Sequence, residues 1–146
     1  MSKSSAQEKK RQESNAKNRR LATQYQDQAN QLQSTFNSRQ EELDRLKSAR
    51  SSLKSAISSY KDVKTNLKST FQDNLDTSNF KGTIKTGFDN NITTIISDTT
   101  SDIQIHSSNL ATLGQEITNR QMSLDLLGSQ ITSLNQAASN CLAAIY

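Results

Sequence analysis

The chain has 146 residues, a formal net charge of +4, 32% apolar residues, no Trp and no Pro, and Ser, Thr, Asn and Gln fill 63 of its positions. A compact domain is normally about 45–50% apolar, so a thick globular core is excluded and the chain is either elongated or partly disordered. The absence of Pro removes the strongest interruption to helices and favours the elongated form.

The first twenty residues, MSKSSAQEKKRQESNAKNRR, carry seven Lys or Arg against two Glu. Such a run could meet nucleic acid or anionic lipid. However, nucleic-acid modules interleave basic residues with aromatics, and the first aromatic here is Tyr25. The segment reads as a solvated, frayed helix start, with no nucleic-acid partner expected. It lacks the apolar core of a signal peptide.

From Ala22 an alternating three–four step runs without a slip to Asn74. It collects Ala22, Tyr25, Ala29, Leu32, Phe36, Leu43, Leu46, Leu53, Ile57, Tyr60, Leu67 and Phe71, with Arg39, Arg50, Lys64 and Asn74 as the polar exceptions. A 3.5-residue repeat held this long is the seam of a helix packed along another helix. A strand needs period two, which is missing. Arg39, Arg50 and Lys64 are the kind of seam residue that sets pairing at some cost in stability, or that meets acids on the second helix.

Near the middle, DTSNFKGTIKTGF breaks the pattern with two glycines. Asp76, Thr77, Ser78 and Asn79 are all suited to cap a new helix. A second seam follows through Phe88, Ile92, Ile95, Thr99, Ile103, His106, Leu110, Leu113, Ile117, Arg120, Leu124, Leu127, Ile131, Leu134, Ala138, Cys141 and Ile145. Two consecutive four-residue steps between Ile95 and Ile103 form a stutter, which locally unwinds a supercoil. The same stretch, ITTIISDTTSDI, is rich in β-branched residues, so a short strand is the alternative there.

The expected fold is all-α, an elongated antiparallel two-helix hairpin with coiled-coil-like seams. Residues 1–20 form the basic extension, helix 1 covers about 21–75, the bend about 76–82 and helix 2 about 83–145. Each helix would be on the order of 90 Å long.

The bend resembles a known family. From Phe80 the segment FKGTIKTGF has an aromatic residue, Gly two later, an apolar residue four later and Phe eight later. This resembles the bend of the Trp-Xaa-Gly, or ESAT-type, helical hairpins of bacterial type VII secretion, with Phe80, Gly82, Ile84 and Phe88 at the family's positions. Phe80 stands where the family carries Trp, and no Tyr-x-x-x-Asp/Glu tail is found after Tyr25, Tyr60 or Tyr146. In its length the chain is most similar to the YwqH-type small partners of LXG toxins. The resemblance implies a targeting factor or chaperone that binds the helical N-terminal domain of such a toxin and promotes its export. It also implies a cytoplasmic protein, with co-export as one route, and another small helical hairpin as a further partner. A structural coiled-coil or self-assembling module unrelated to secretion is the alternative. At the bend the aromatic would plug the hairpin end, Gly82 would let the backbones approach, and Ile84 and Phe88 would begin the second seam.

A hairpin gives each helix one neighbour, so a second copy or a different protein is expected to complete the packing. With a bend centred near Asn79, Cys141 and Ile145 would lie opposite residues near 17 and 13, where only Ala16 is apolar. Ile131, Leu134, Ala138, Leu142, Ile145 and Tyr146 are therefore expected to lack apolar partners in their own chain and to bind a partner helix. A simply frayed C-terminal end is the competing reading.

No catalytic or cofactor-binding constellation is visible, and no enzyme activity is expected. Lone Cys141 and lone His106 cannot make a disulfide or a zinc site. His106 reads as a register or surface residue rather than a pH switch, and Asp98 with Asp102, one turn apart, as solvated carboxylates. No apolar run of about 18 residues occurs, so no membrane insertion is expected.

Overall fold

A computed structural model describes residues 3–76, 78 and 81–146. Helix α1 runs Lys3–Leu67, a π-helical turn follows over Lys68–Asp73, and helix α2 runs Gly82–Ala143. No strand occurs among the described residues. The chain is an all-α helical hairpin, divided into two units in each of which a stretch of α1 packs antiparallel against a stretch of α2. Residues 3–20, expected as a frayed extension, are helical and continuous with the rest of α1.

The terminal unit comprises residues up to Asp44 together with Thr118–Tyr146. Its core is a narrow seam of Ala22, Ala29 and Leu43 from α1 and Leu124, Leu127, Ile131 and Ala138 from α2. Leu43 and Leu124 are its most deeply enclosed side chains, at 0% and 1% exposure. The flanks are tied by polar groups. Arg39 Nη1 donates to Ser123 Oγ at 3.4 Å, and Arg120 Nη1 meets Glu42 Oε2 at 3.1 Å. Gly128 faces the Phe36 ring, whose Cε2 lies 3.6 Å from where a Cβ would stand, an ordinary contact distance.

The bend unit is Arg45–Ile117. Ile57, Thr99 and Ile103 are its buried residues, with Leu46, Leu53, Tyr60, Leu67, Ile92, Ile96, Leu110, Leu113 and Ile117 half-buried around them. Tyr60 Oη donates to Asp102 Oδ2 at 3.3 Å, and the Arg50 guanidinium lies over Gly114, with Nε 3.3 Å from a notional Cβ. Arg39 bonds a hydroxyl and Arg50 lies against a glycine, and among the described residues neither forms an ion pair, which was the second of the two readings for them.

ITTIISDTTSDI is helix, not strand. Its hydroxyls turn back onto their own helix: Thr94 to Asn90 O, Thr99 to Ile95 O, Thr100 to Ile96 O and Ser101 to Ser97 O, at 2.6–3.2 Å. These bonds satisfy groups that would otherwise compete with the helix, and let Thr99 sit buried on the seam. Between Phe88 and Leu110 the seam has two stutters in place of the single one expected at Ile95–Ile103. The buried side passes through Phe88, Ile92, Ile96, Thr99, Ile103, Ser107 and Leu110, so paired four-residue steps occur at Phe88–Ile92–Ile96 and again at Thr99–Ile103–Ser107. Ile95 and His106, expected on the seam, are exposed, and Arg120 yields its place to the half-buried Gln121. The reason is geometric: two four-residue steps rotate the stripe around α2, past Ile95 and onto Ile96.

Candidate docking surface

The bend is built from backbone geometry. Asn74 closes the π turn by donating its N–H to Ser69 O at 3.0 Å and its side-chain amide to Ser69 Oγ at 3.0 Å. An Asx turn follows, in which Ser78 N–H donates to Asp76 Oδ1 at 2.9 Å. The Ser78 backbone N–H, and then its hydroxyl, hold the Asp76 carboxyl below the usual carboxylate range. Asp76 therefore serves the turn rather than capping α2, while Thr77 and Asn79 lie outside the described residues.

Of the four bend-motif positions, Phe80 also lies outside the described residues. Gly82 opens α2 at φ +69°, the left-handed region that glycine enters without strain. Nothing lies within 4 Å of its notional Cβ, so Gly82 is required for its dihedral and not, as expected, for a close approach of backbones. Ile84 is 73% exposed and does not begin the second seam. Phe88 does begin it, packing edge-to-face on Phe71 with centroids 6.4 Å apart at 63°.

At the other end, the last residues of α2 are fastened to α1 by asparagine. Asn15 donates through Nδ2 to Tyr146 O at 2.9 Å and accepts through Oδ1 from Tyr146 N at 3.2 Å, so its side chain bridges the backbone donor and acceptor of that residue. Asn18 Nδ2 adds a bond to Ala144 O at 3.2 Å. These side chains satisfy carbonyls that a helix end leaves open. They set residue 144 opposite 18, about one turn from the register expected for a bend centred at Asn79.

The six residues expected to dock a partner divide accordingly. Ile131 and Ala138 are buried in the terminal unit's own seam, at 8% and 2% exposure, and Leu134 and Ile145 are half-buried. Ile131 and Ala138 are thus sheltered by their own chain, contrary to expectation for those two, and Leu134 shares a groove with Leu32 of α1. Leu142 at 46% and Tyr146 at 84% remain exposed. Elsewhere in the same unit an open groove of about 490 Å³ is lined by Leu32, Leu126, Ser129, Gln130, Ser133 and Leu134. Leu126 is 68% exposed and Met122, one turn before it, 60%. Sequence reasoning passed over both because they fall off the seam; their i, i+4 spacing was the signal for a second apolar row.

No helix is long and apolar enough to cross a membrane, and no group of three or more His, Cys, Asp or Glu could hold a metal ion, among the described residues. No protein-family model matches the chain, and no curated protein matches it.

Proposed function

We propose that the chain is a small helical partner, a targeting factor or chaperone, that binds the helical N-terminal domain of a type VII-secreted LXG toxin and promotes its export. It acts by helix–helix docking in the cytoplasm, and co-export with the toxin is part of the same reading. The observation that carries it is the state of the C-terminal end: Leu142 and Tyr146 stand open to solvent although Asn15 and Asn18 hold the backbone at Tyr146 and Ala144 in place. Apolar side chains on a pre-ordered backbone bind a partner without a large ordering cost. The left-handed Gly82 and the Phe71–Phe88 contact beside the bend support the resemblance to the Trp-Xaa-Gly hairpins.

The docking residues are Leu142 and Tyr146, with the exposed edges of Leu134 and Ile145; Ile131 and Ala138 belong to the hairpin's own seam. Co-expression with the N-terminal helical region of an LXG toxin, followed by size exclusion with light scattering, tests this. A defined heteromer that is lost with Leu142→Glu plus Tyr146→Glu supports the reading. A chain that elutes only as its own oligomer supports a self-assembling coiled-coil module instead.

A further inference from the structure

The bend unit carries an apolar row that neither its own seam nor the proposed toxin contact uses. Ile84, Ile95 and Ile105 are 73%, 47% and 57% exposed on α2, and Asp98 and Asp102 lie between the last two. The intervals 84–95, 95–98, 98–102 and 102–105 are three turns and then steps of three and four, which keep all five residues along one side of a helix. That side spans about 30 Å of α2 at a rise of 1.5 Å per residue. It runs along the flank nearest α1, since Tyr60 Oη reaches Asp102 Oδ2 at 3.3 Å.

The two carboxylates decide what can cover this row. Among the described residues neither Asp98 nor Asp102 has a Lys or Arg within 4.0 Å; the ion pairs found are Arg11–Glu8, Lys85–Asp89 and Arg120–Glu42. A purely apolar helix laid on the isoleucines would strip water from both charges, leaving Asp102 only the Tyr60 hydroxyl and Asp98 no cation, at a cost that exceeds the apolar gain. The occupant must therefore bring cations in step with its apolar residues. The chain's own basic segment is a poor match. Between Lys9 and Arg20 it offers Lys and Arg but only Ala16 as an apolar side chain, so a second copy would supply charge without filling the isoleucine row.

We propose that Ile84, Ile95, Asp98, Asp102 and Ile105 form a docking face for a basic amphipathic helix of a second polypeptide, with Leu or Ile against the isoleucines and Lys or Arg against the two carboxylates. This face lies in the bend unit and shares no residue with the Leu142–Tyr146 contact, so it stands or falls apart from the proposed export role.

The full chain is titrated, by fluorescence anisotropy, into a labelled 22-residue Leu/Lys amphipathic helical peptide and into its Leu/Glu counterpart. The chain's net charge of +4 gives the cationic probe no overall attraction, and the substituted variants report whether its binding is local to this face. The Leu/Lys peptide is expected to bind and the Leu/Glu peptide not to bind at this face. Asp98→Asn with Asp102→Asn should weaken the Leu/Lys peptide about tenfold and flatten its salt dependence. Ile95→Ser with Ile105→Ser should weaken it at least as much. Met122→Ser with Leu126→Ser, in the other unit, should leave it unchanged. All substituted side chains are exposed, and circular dichroism verifies that each variant keeps its helix content. Equal binding of all variants overturns the proposal. So does sedimentation showing that the chain self-associates through Ile95 and Ile105, which would assign the face to a second copy.

Discussion

Truncating Leu124 and Leu126 separately tests the placement of the seam, because these neighbours point to opposite fates. Leu124 is 1% exposed and Leu126 68% exposed. Leu124→Ala removes three carbon groups from a dry site, a transfer loss of about 2.4 kcal/mol at about 0.8 kcal/mol each. Residual cavity raises this towards the range of about 3–5 kcal/mol seen in globular cores, but two helices can close part of the gap. The expected total is about 3 kcal/mol. Leu126→Ala loses little burial, and Ala is the better helix former by a few tenths of a kcal/mol, so its net effect should stay within about 0.5 kcal/mol. Urea unfolding followed by circular dichroism at the helical band gives both values from the midpoint at constant slope. Similar costs for the two substitutions, or a larger one at Leu126, would mean that α2 is rotated from the orientation described, and the seam would be wrong.

Gly128→Ala should stabilise the chain by about 0.5–1 kcal/mol, since it removes a mid-helix glycine and sets the new methyl 3.6 Å from Phe36 Cε2, an ordinary contact; a lower urea midpoint would show that the helices are closer there. Gly82→Ala should destabilise by about 1–2 kcal/mol from backbone strain alone, because φ is +69° and no atom waits within 4 Å of the Cβ. Gly82→Asn should recover part of the loss, and unchanged thermal melting of Gly82→Ala would rule out the left-handed start of α2. The Asp76 carboxyl should titrate by NMR below the free aspartate value, and Ser78→Ala should raise its midpoint only part of the way, since the backbone N–H is the larger cause. A lowered folded-state value means that the Asx turn contributes above the unfolded pKa and is lost as pH falls through the folded one; a midpoint at or above that of free aspartate would remove the turn.

The hairpin and most of its seam were legible because packing one helix on another imposes a three–four step that few other structures share. Leu43, Ile57, Leu124 and Ala138 were all placed by that step, and all are buried. Where it misled, the three–four step had been continued at the wrong phase, because the positions of the paired four-residue steps in α2 leave no mark on hydropathy. Ile95 was preferred over Ile96, and His106 and Arg120 over Ser107 and Gln121, yet α2 buries the second of each pair at least in part. A row of exposed isoleucines running beside a seam that includes Thr99 and Ser107 cannot be separated from it by hydropathy alone. The register was misjudged by about one turn because it depends on the π turn at Lys68–Asp73 and the dihedral of Gly82, neither of which leaves a periodic trace. The asparagine fastening at Asn15 and Asn18 was invisible for a related reason: it is polar, it is long-range, and its acceptors are backbone atoms near Tyr146.

Hydrogen–deuterium exchange on the chain, alone and with the helical N-terminal domain of an LXG toxin, addresses the central claim most directly. The account predicts a stable complex in which backbone amides from about Leu134 to Tyr146, around the exposed Leu142 and Tyr146, gain protection while the buried seam near Leu43 and Leu124 is unchanged. No complex, or a complex whose protection leaves that end untouched, would contradict it.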